Sequence, residues 1–320
     1  MARRSLHTLL TLAAVLTVMW GLFRLIPGDP VAVLLGTGQL GPEDVAKLRQ
    51  AWALDQPLYQ QYLNYLGNFI TGDLGISFQF RRPVLEVVLP TMMNTLILMG
   101  PAIVIASAIG VAVGAWLAWR RGTAADSIGG LLVLLPRSLP IFWIGILFLM
   151  VFAYWLNLLP IGGMRTPGFY PESFVESLPG YDLAIHLVMP LAVAILYFVA
   201  DPLMIMRTST LEASTEDYIL YARAAGLRER DVRGIARRNA LLPVVTYSAI
   251  MVSFAFGGQV LLEVVFSWPG MGRLMVQAVS HRDYPVAQAA FFFMAAIVIL
   301  FNLAVDMLYA FLDPRISYEA

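Results

Sequence analysis

The chain has 320 residues, 59% of them hydrophobic and 13% charged, with a formal net charge of zero and a mean hydropathy of +0.73. That balance belongs to polytopic membrane proteins and argues against a broad nucleic-acid-binding face. There is no cysteine, the three histidines (His7, His186, His281) lie far apart, and the only lysine, Lys47, follows no glycine-rich turn. Disulfides, thiolate metal sites and a phosphate-binding loop are therefore excluded, and neither a histidine metal cluster nor a catalytic site is expected.

About 20 apolar residues cross a bilayer as one helix. The first such run is 5–23, bounded by Arg4 and Arg24. No small-residue cleavage pattern follows it, so it reads as a retained anchor rather than a signal peptide. Segment 28–90 comes next. Within it, "PEDVAKLRQAWAL" starts on Pro42 and acidic residues, and "QPLYQQYLNYLGNFI" places Leu58, Tyr62, Tyr65, Leu66 and Phe69 on one side. Both read as short amphipathic helices lying on the membrane or on a neighbouring span, either as a packing cap or as a binding element.

The second span lies within 87–119 and ends at Arg120-Arg121. The third lies within 127–158 and holds Arg137, with Pro136 and Pro140 expected to kink it. A Pro- and Gly-rich loop fills 158–182. The fourth span covers 183–206 and contains Asp201, the fifth lies within 239–262, and the sixth covers 286–312 with Asp306. Splitting 127–158 into two spans would set the seven arginines of 207–238 opposite the other basic flanks, against the positive-inside rule. Six spans with both termini cytoplasmic is the reading, an all-α polytopic helix bundle. It divides into an N-terminal part, 1–90, and a transmembrane part, 91–315.

The most polar stretch, "EDYILYARAAGLRERDVRGIARRNALLPVV" (216–245), carries ten charges in thirty residues. Glu216, Asp217, Glu229 and Asp231 alternate with the arginines, which gives mixed-sign helical faces rather than a basic block. Tyr218, Tyr221, Ala222 and Ala225 follow helical spacing and form an apolar face. Gly226 can stop that helix in a left-handed turn. A second helix then runs from "LRERDVRGIARR" through Asn239 to Pro243 into the fifth span. Two helices hinged at a glycine and joined to a membrane helix form a lever within 207–240.

"YARAAGL" followed by "RNALLPVV" resembles the cytoplasmic loop of permease subunits of binding-protein-dependent ABC importers. Those carry Glu-Ala-Ala, three residues, Gly and a later Leu-Pro. Ala222, Gly226, Leu242 and Pro243 match, whereas Leu220 and Tyr221 replace the Glu and first Ala, and the Gly-to-Pro distance is longer than in sugar permeases. Both departures fit the oligopeptide/dipeptide branch. So do "LIPGDPV" after the first span, "GDLGISF" and "RPV" before the second, "LPIFW" in the third, "EVVFSWPGMGRLMVQAVSHRDYPV" before the sixth and "DPRI" at the end.

The resemblance implies the transmembrane fold of a type I ABC importer in a bacterial inner membrane. It also implies a paralogous permease partner, two ATPase subunits that bind ATP and Mg, and an extracytoplasmic binding protein. Tyr218, Tyr221, Ala222, Gly226, Leu227, Leu242 and Pro243 would then couple to an ATPase. Di- or oligopeptides are the implied substrate, with glutathione, nickel or another small solute as alternatives.

Asn94, Pro140, Gly257, Gly258 and Gln259 are candidates for the translocation path. Glu263, Trp268, Pro269, Arg273 and Asp283 are candidates for the outer mouth, where the Trp-Pro-Gly turn forms a lid-like or re-entrant element and the charges, with Arg282, either contact the binding protein or simply line the rim. Arg137 and Asp201 stand where peptide permeases usually carry neutral residues; at similar depth on spans three and four, they are expected to pair, the alternative being that Arg137 snorkels to the cytoplasmic interface while Asp201 faces the water-filled path. Two other classes compete. An ion-coupled secondary transporter would use Asp201 and Asp306 but normally shows an internal repeat, and none is visible. A membrane scaffold or receptor would bind through 28–90.

Overall fold

The structure is a computed structural model that describes residues 2–25, 56–168, 180–258 and 260–312. Among the described residues the regular structure is helical, with no strand; an isolated bridge joins Ile76 and Pro83. In chain order the elements are α1 (Ala2–Leu25), α2 (Leu58–Thr71), α3 (Val84–Ala118), α4 (Ala124–Arg137), α5 (Ile141–Phe148), a π-helical turn (Leu149–Trp155), α6 (Tyr181–Phe198), α7 (Ala200–Ser214), α8 (Asp217–Ala224), α9 (Glu229–Gly258), α10 (Val260–Val265), α11 (Met271–Ser280) and α12 (Tyr284–Leu312). The amphipathic helix expected from Pro42 lies outside the described residues.

Among the described residues, four segments are long and apolar enough to cross a membrane: 4–22, 84–118, 181–214 and 284–303. A fifth results if α4 and α5 are one broken span. The expected span 239–262 is carried by the C-terminal half of α9 and by α10, but it includes Gln259 and side chains of 253–258 that lie outside the described residues.

The expected kink in the third span is a break: α4 and α5 meet at 94°. Pro136 is accommodated inside α4, so it is not the cause. Pro140 is. It has no N–H to donate and disfavours the helical basin for Leu139, so α4 stops at Arg137 and α5 restarts with Pro140 as its N-cap.

The chain forms two compact units. The first comprises 1–93 and 273–300. There α2 packs through Tyr62 on Trp20 of α1, with ring centroids 5.2 Å apart. The Tyr62 hydroxyl meets Thr17 at 2.6 Å, and Phe69 meets Phe292 edge-on at 4.5 Å. Of the five residues expected on the packed side of α2, Tyr62, Tyr65, Leu66 and Phe69 are half-buried and Leu58 is exposed, one turn before the helix reaches α1. Gly72, with φ +81, ends the helix by turning its N–H back to Asn68 and Phe69.

The second unit comprises 94–272 and 301–320. Its core gathers Leu98, Met99 and Ala102 of α3, Ile141 and Ile144 of α5, Val193 and Phe198 of α6, and Phe266 and Trp268. The most extensive helix pairing within it is α7 on α9. Gly110 and Gly114 of α3 lie against the Pro202–Leu203 backbone of α7, where any Cβ would collide. Four-residue spacing of glycines lets helix backbones approach this closely.

Candidate functional site

The charged stretch forms the helix–glycine–helix unit. Helix α8 starts after Glu216, with Asp217 in its first turn, and ends at Gly226, which has φ +78. The Leu227 N–H reaches back to the Ala222 carbonyl at 3.2 Å and the Gly226 N–H to Arg223 at 2.9 Å. These two bonds are the Schellman pattern, which satisfies carbonyls that a helix end otherwise leaves open. Arg223 also bonds Glu229 across the turn at 3.0 Å. The turn between α8 and α9 is thus closed by backbone and side chain together.

The expected apolar face of α8 is divided: Ala222 packs inward beside Ile219, whereas Tyr218 and Tyr221 stay outside. Ile219 is fully buried with Val232 and Ala236 of α9 and Ala213 of α7, beside Trp119. Tyr218, Leu220, Tyr221 and Leu227 are exposed, Tyr221 at 73%. An eight-residue helix can present either side, and its sequence gives no sign that one isoleucine outranks two tyrosines. The result is a helix pinned on one side and apolar on its open side. Leu242 and Pro243, also exposed, lie two turns beyond this cluster on α9: Pro243 is seven residues past Ala236, about 10 Å along the axis at 1.5 Å per residue. Both lie on the second helix of the unit, as expected.

Two ion pairs join α4 to α7. Arg207 grips Asp126 in a two-bond fork at 2.7 and 2.8 Å, with the carboxylate buried. Thr123 caps α4 by accepting the Asp126 N–H, and the Asp126 carboxylate also accepts the Gly122 N–H. The pattern Thr123-x-x-Asp126 is the sequence signal that could have revealed it. Arg137 and Asp201 pair as expected, but more loosely, at 3.3 and 3.5 Å. Tyr247 of α9 donates to Asp201 at 2.8 Å, and the Arg137 guanidinium lies 4.4 Å from the Tyr197 ring centroid.

Around the Trp-Pro-Gly segment the expected rim charges divide: Arg282 is exposed and Arg273 half-buried, whereas Glu263 is turned inward. Glu263 is 1% exposed and accepts the Thr95 hydroxyl at 2.6 Å, and Thr95 in turn accepts the Met271 N–H. Gly270 and Gly272 press on the Glu263 carboxylate, so that any side chain at Gly270 would overlap it. Trp268 is fully buried and donates to the Asn94 carbonyl; the Asn94 amide donates to the Pro269 carbonyl, each at 2.9 Å. The Gly163 N–H meets the Phe266 carbonyl at 2.9 Å. Glu263 is therefore a buried fastening point rather than a rim charge, and Asn94 is engaged in holding the turn.

In the first unit, Asp283 is likewise buried and accepts from the Ser77 hydroxyl and the Gln79 N–H. An isolated acid in an apolar sequence looks like a surface charge because its partner can lie 200 residues away. Pro140 caps α5, Gly257 and Gly258 end α9, and Gln259 lies outside the described residues.

An all-helical chain with apolar spans, a broken, charge-paired span and a polar helix–glycine–helix unit pinned to two of its helices is built like the membrane-spanning subunit of a transporter. The chain belongs to the family of binding-protein-dependent transport system inner membrane components: residues 110–318 match that family and residues 1–99 match its N-terminal family. It is a multi-pass inner membrane transport subunit with the transmembrane fold of type I ABC importers.

Among curated relatives, it is 38% identical over 328 residues to the dipeptide transport system permease protein DppB of Escherichia coli K12, covering 98% of this chain and 94% of that protein. It is 36% identical to the di/tripeptide transport system permease protein DppB of Pseudomonas aeruginosa, covering 99% and 98%. It is 32% identical to the oligopeptide transport system permease protein AppB of Bacillus subtilis, again covering 99% and 98%.

Proposed function

We propose that this chain is the B-type permease subunit of an ATP-driven importer of di- or oligopeptides. It would form the path with a paralogous permease, beneath an extracytoplasmic binding protein. ATP and Mg would be bound by two separate ATPase subunits. In this reading the chain makes six crossings with both termini in the cytoplasm, and α8 faces an ATPase. The near-full-length likeness to three peptide permeases supports the substrate class.

The single observation carrying the coupling role is the two-sided α8. Ile219 fixes it to α7 and α9, while Tyr218, Leu220, Tyr221 and Leu227 offer an uncovered apolar face. A helix that is rigid toward its own spans and greasy toward solvent suits transmission of a partner's movement. Closure of the ATPase pair would push α8, and the α7–α9 pairing would carry that push into the spans. The competing ion-coupled reading loses its main support, because Asp201 is held by Arg137 and Tyr247 rather than standing alone.

Affinity purification of the tagged chain from its native membrane tests this. The ATPase subunits are expected to co-purify, and Tyr221→Asp is expected to reduce their yield at least about tenfold, as for loss of an interface anchor, with the permease still inserted. Full ATPase recovery with Tyr221→Asp would refute α8 as the docking helix.

A further inference from the structure

We propose that Arg137 and Asp201 form a site inside the spans for the two termini of the passing peptide. The guanidinium takes the α-carboxylate, and the carboxylate takes the α-ammonium. The proposal rests on the peptide reading above and deepens it.

The argument starts from the contrast between the two pairs on the same two helices. Asp126–Arg207 is short, forked and buried, the form of a structural fastener. Arg137–Asp201 makes the same two-point fork at longer range, 3.3 and 3.5 Å, and its side chains are 36% and 26% exposed, against 24% and 8% for Arg207 and Asp126. A pair meant only to hold α4 against α7 duplicates the first and holds less well.

Each ion of the looser pair also has a neutral second partner. The Tyr247 hydroxyl donates to Asp201 at 2.8 Å, and the Tyr197 ring lies under Arg137 at 4.4 Å. The pair can open without leaving either charge bare, so it can exchange partners. A half-open charge inside a span is costly against lipid and calls for a polar path or a protein neighbour.

The position fits as well. Arg137 is the last residue of α4, immediately before the 94° break, and Asp201 lies in the first turn of α7, just after Val199 separates it from α6. Discontinuous spans are where transporters gather groups that meet a charged solute. An arginine fork matches a carboxylate, and the Asp201 carboxylate, once Arg137 lets go of it and only Tyr247 still donates to it, has lone pairs to offer an ammonium. A zwitterion is the one small solute that satisfies both at once. Competition from the internal pair keeps the contact weak, as passage requires.

The test uses the assembled permease–ATPase complex in lipid nanodiscs, without binding protein, so that the latter's selectivity plays no part. Binding of a free dipeptide, its C-terminal amide and its N-acetyl derivative is measured by ligand-observed NMR titration. The wild type is expected to bind the free dipeptide about tenfold or more tighter than either blocked form, the size of a lost charged hydrogen bond. Arg137→Gln should erase the difference between free peptide and amide and keep that between free and acetylated peptide. Asp201→Asn should do the reverse. Arg137→Lys, which keeps the charge, should preserve part of the carboxylate preference and serves if the glutamine variant fails to assemble. Equal binding of all three peptides by the wild type, or uniform loss for all three in either variant, overturns the site. Failure of the peptide reading itself has a different sign: the complete wild-type transporter then imports no peptide into vesicles.

Discussion

At the scale of single residues, two glycines are favoured over any side chain, for different reasons. Gly226 is surrounded by open space, yet its φ of +78 belongs to a region that side chains disfavour by about 1–2 kcal/mol. Gly270 has no such backbone demand; it is needed because the Glu263 carboxylate occupies the place of its Cβ. Gly270→Ala is expected to destabilise the second unit by about 1–3 kcal/mol, the usual penalty for overpacking. A lowered thermal midpoint of the purified complex checks it, and an unchanged midpoint argues against the buried Glu263 fastening. Gly226 was legible in the sequence because a helix-stopping glycine has a local signature. Glu263 and Asp283 were not, because burial of an acid depends on Thr95 and Ser77, far away along the chain.

At the scale of elements, α7 is the hub. It packs on α9, receives Gly110 and Gly114 of α3, and is joined to α4 by two ion pairs of opposite sense: Asp126 to Arg207, and Arg137 to Asp201. Removing one partner of a buried pair leaves the other charge uncompensated, at about 3–5 kcal/mol. Arg207→Leu is therefore expected to destabilise strongly, and Arg207→Leu with Asp126→Leu to recover much of the loss. A double-mutant cycle on thermal unfolding measures this; strictly additive losses would show that the pair does not join α4 to α7. Most of the helices could be read from hydropathy, since 20-residue apolar runs carry their own signal. Their breaks could be read only in part. Pro140 announces an interruption but not a 94° turn, and the division between α6 and α7 at Val199 has only Pro202 nearby to announce it. The inward role of Ile219 had no signal in so short a helix.

At the scale of the whole molecule, the proposed function makes the chain one component of a machine, to which it would contribute mechanically. The charged stretch that is anomalous in an apolar sequence becomes intelligible as the site where a partner's motion enters. It is rigid where Ile219, the Schellman turn and Arg223–Glu229 hold it, and uncovered where Tyr218 and Tyr221 stand. Family membership was legible from the order of several weak motifs along nearly the whole chain, because together they are far more specific than any one alone. The most direct test of this coupling compares Gly226→Val with the wild type in proteoliposomes that hold the complete transporter. Peptide imported per ATP hydrolysed is measured at saturating binding protein. The lever predicts that the variant retains its ATPase subunits and hydrolyses ATP while the ratio falls about tenfold or more, the effect of roughly 1.4 kcal/mol of lost coupling; an unchanged ratio in an assembled, active variant would contradict it.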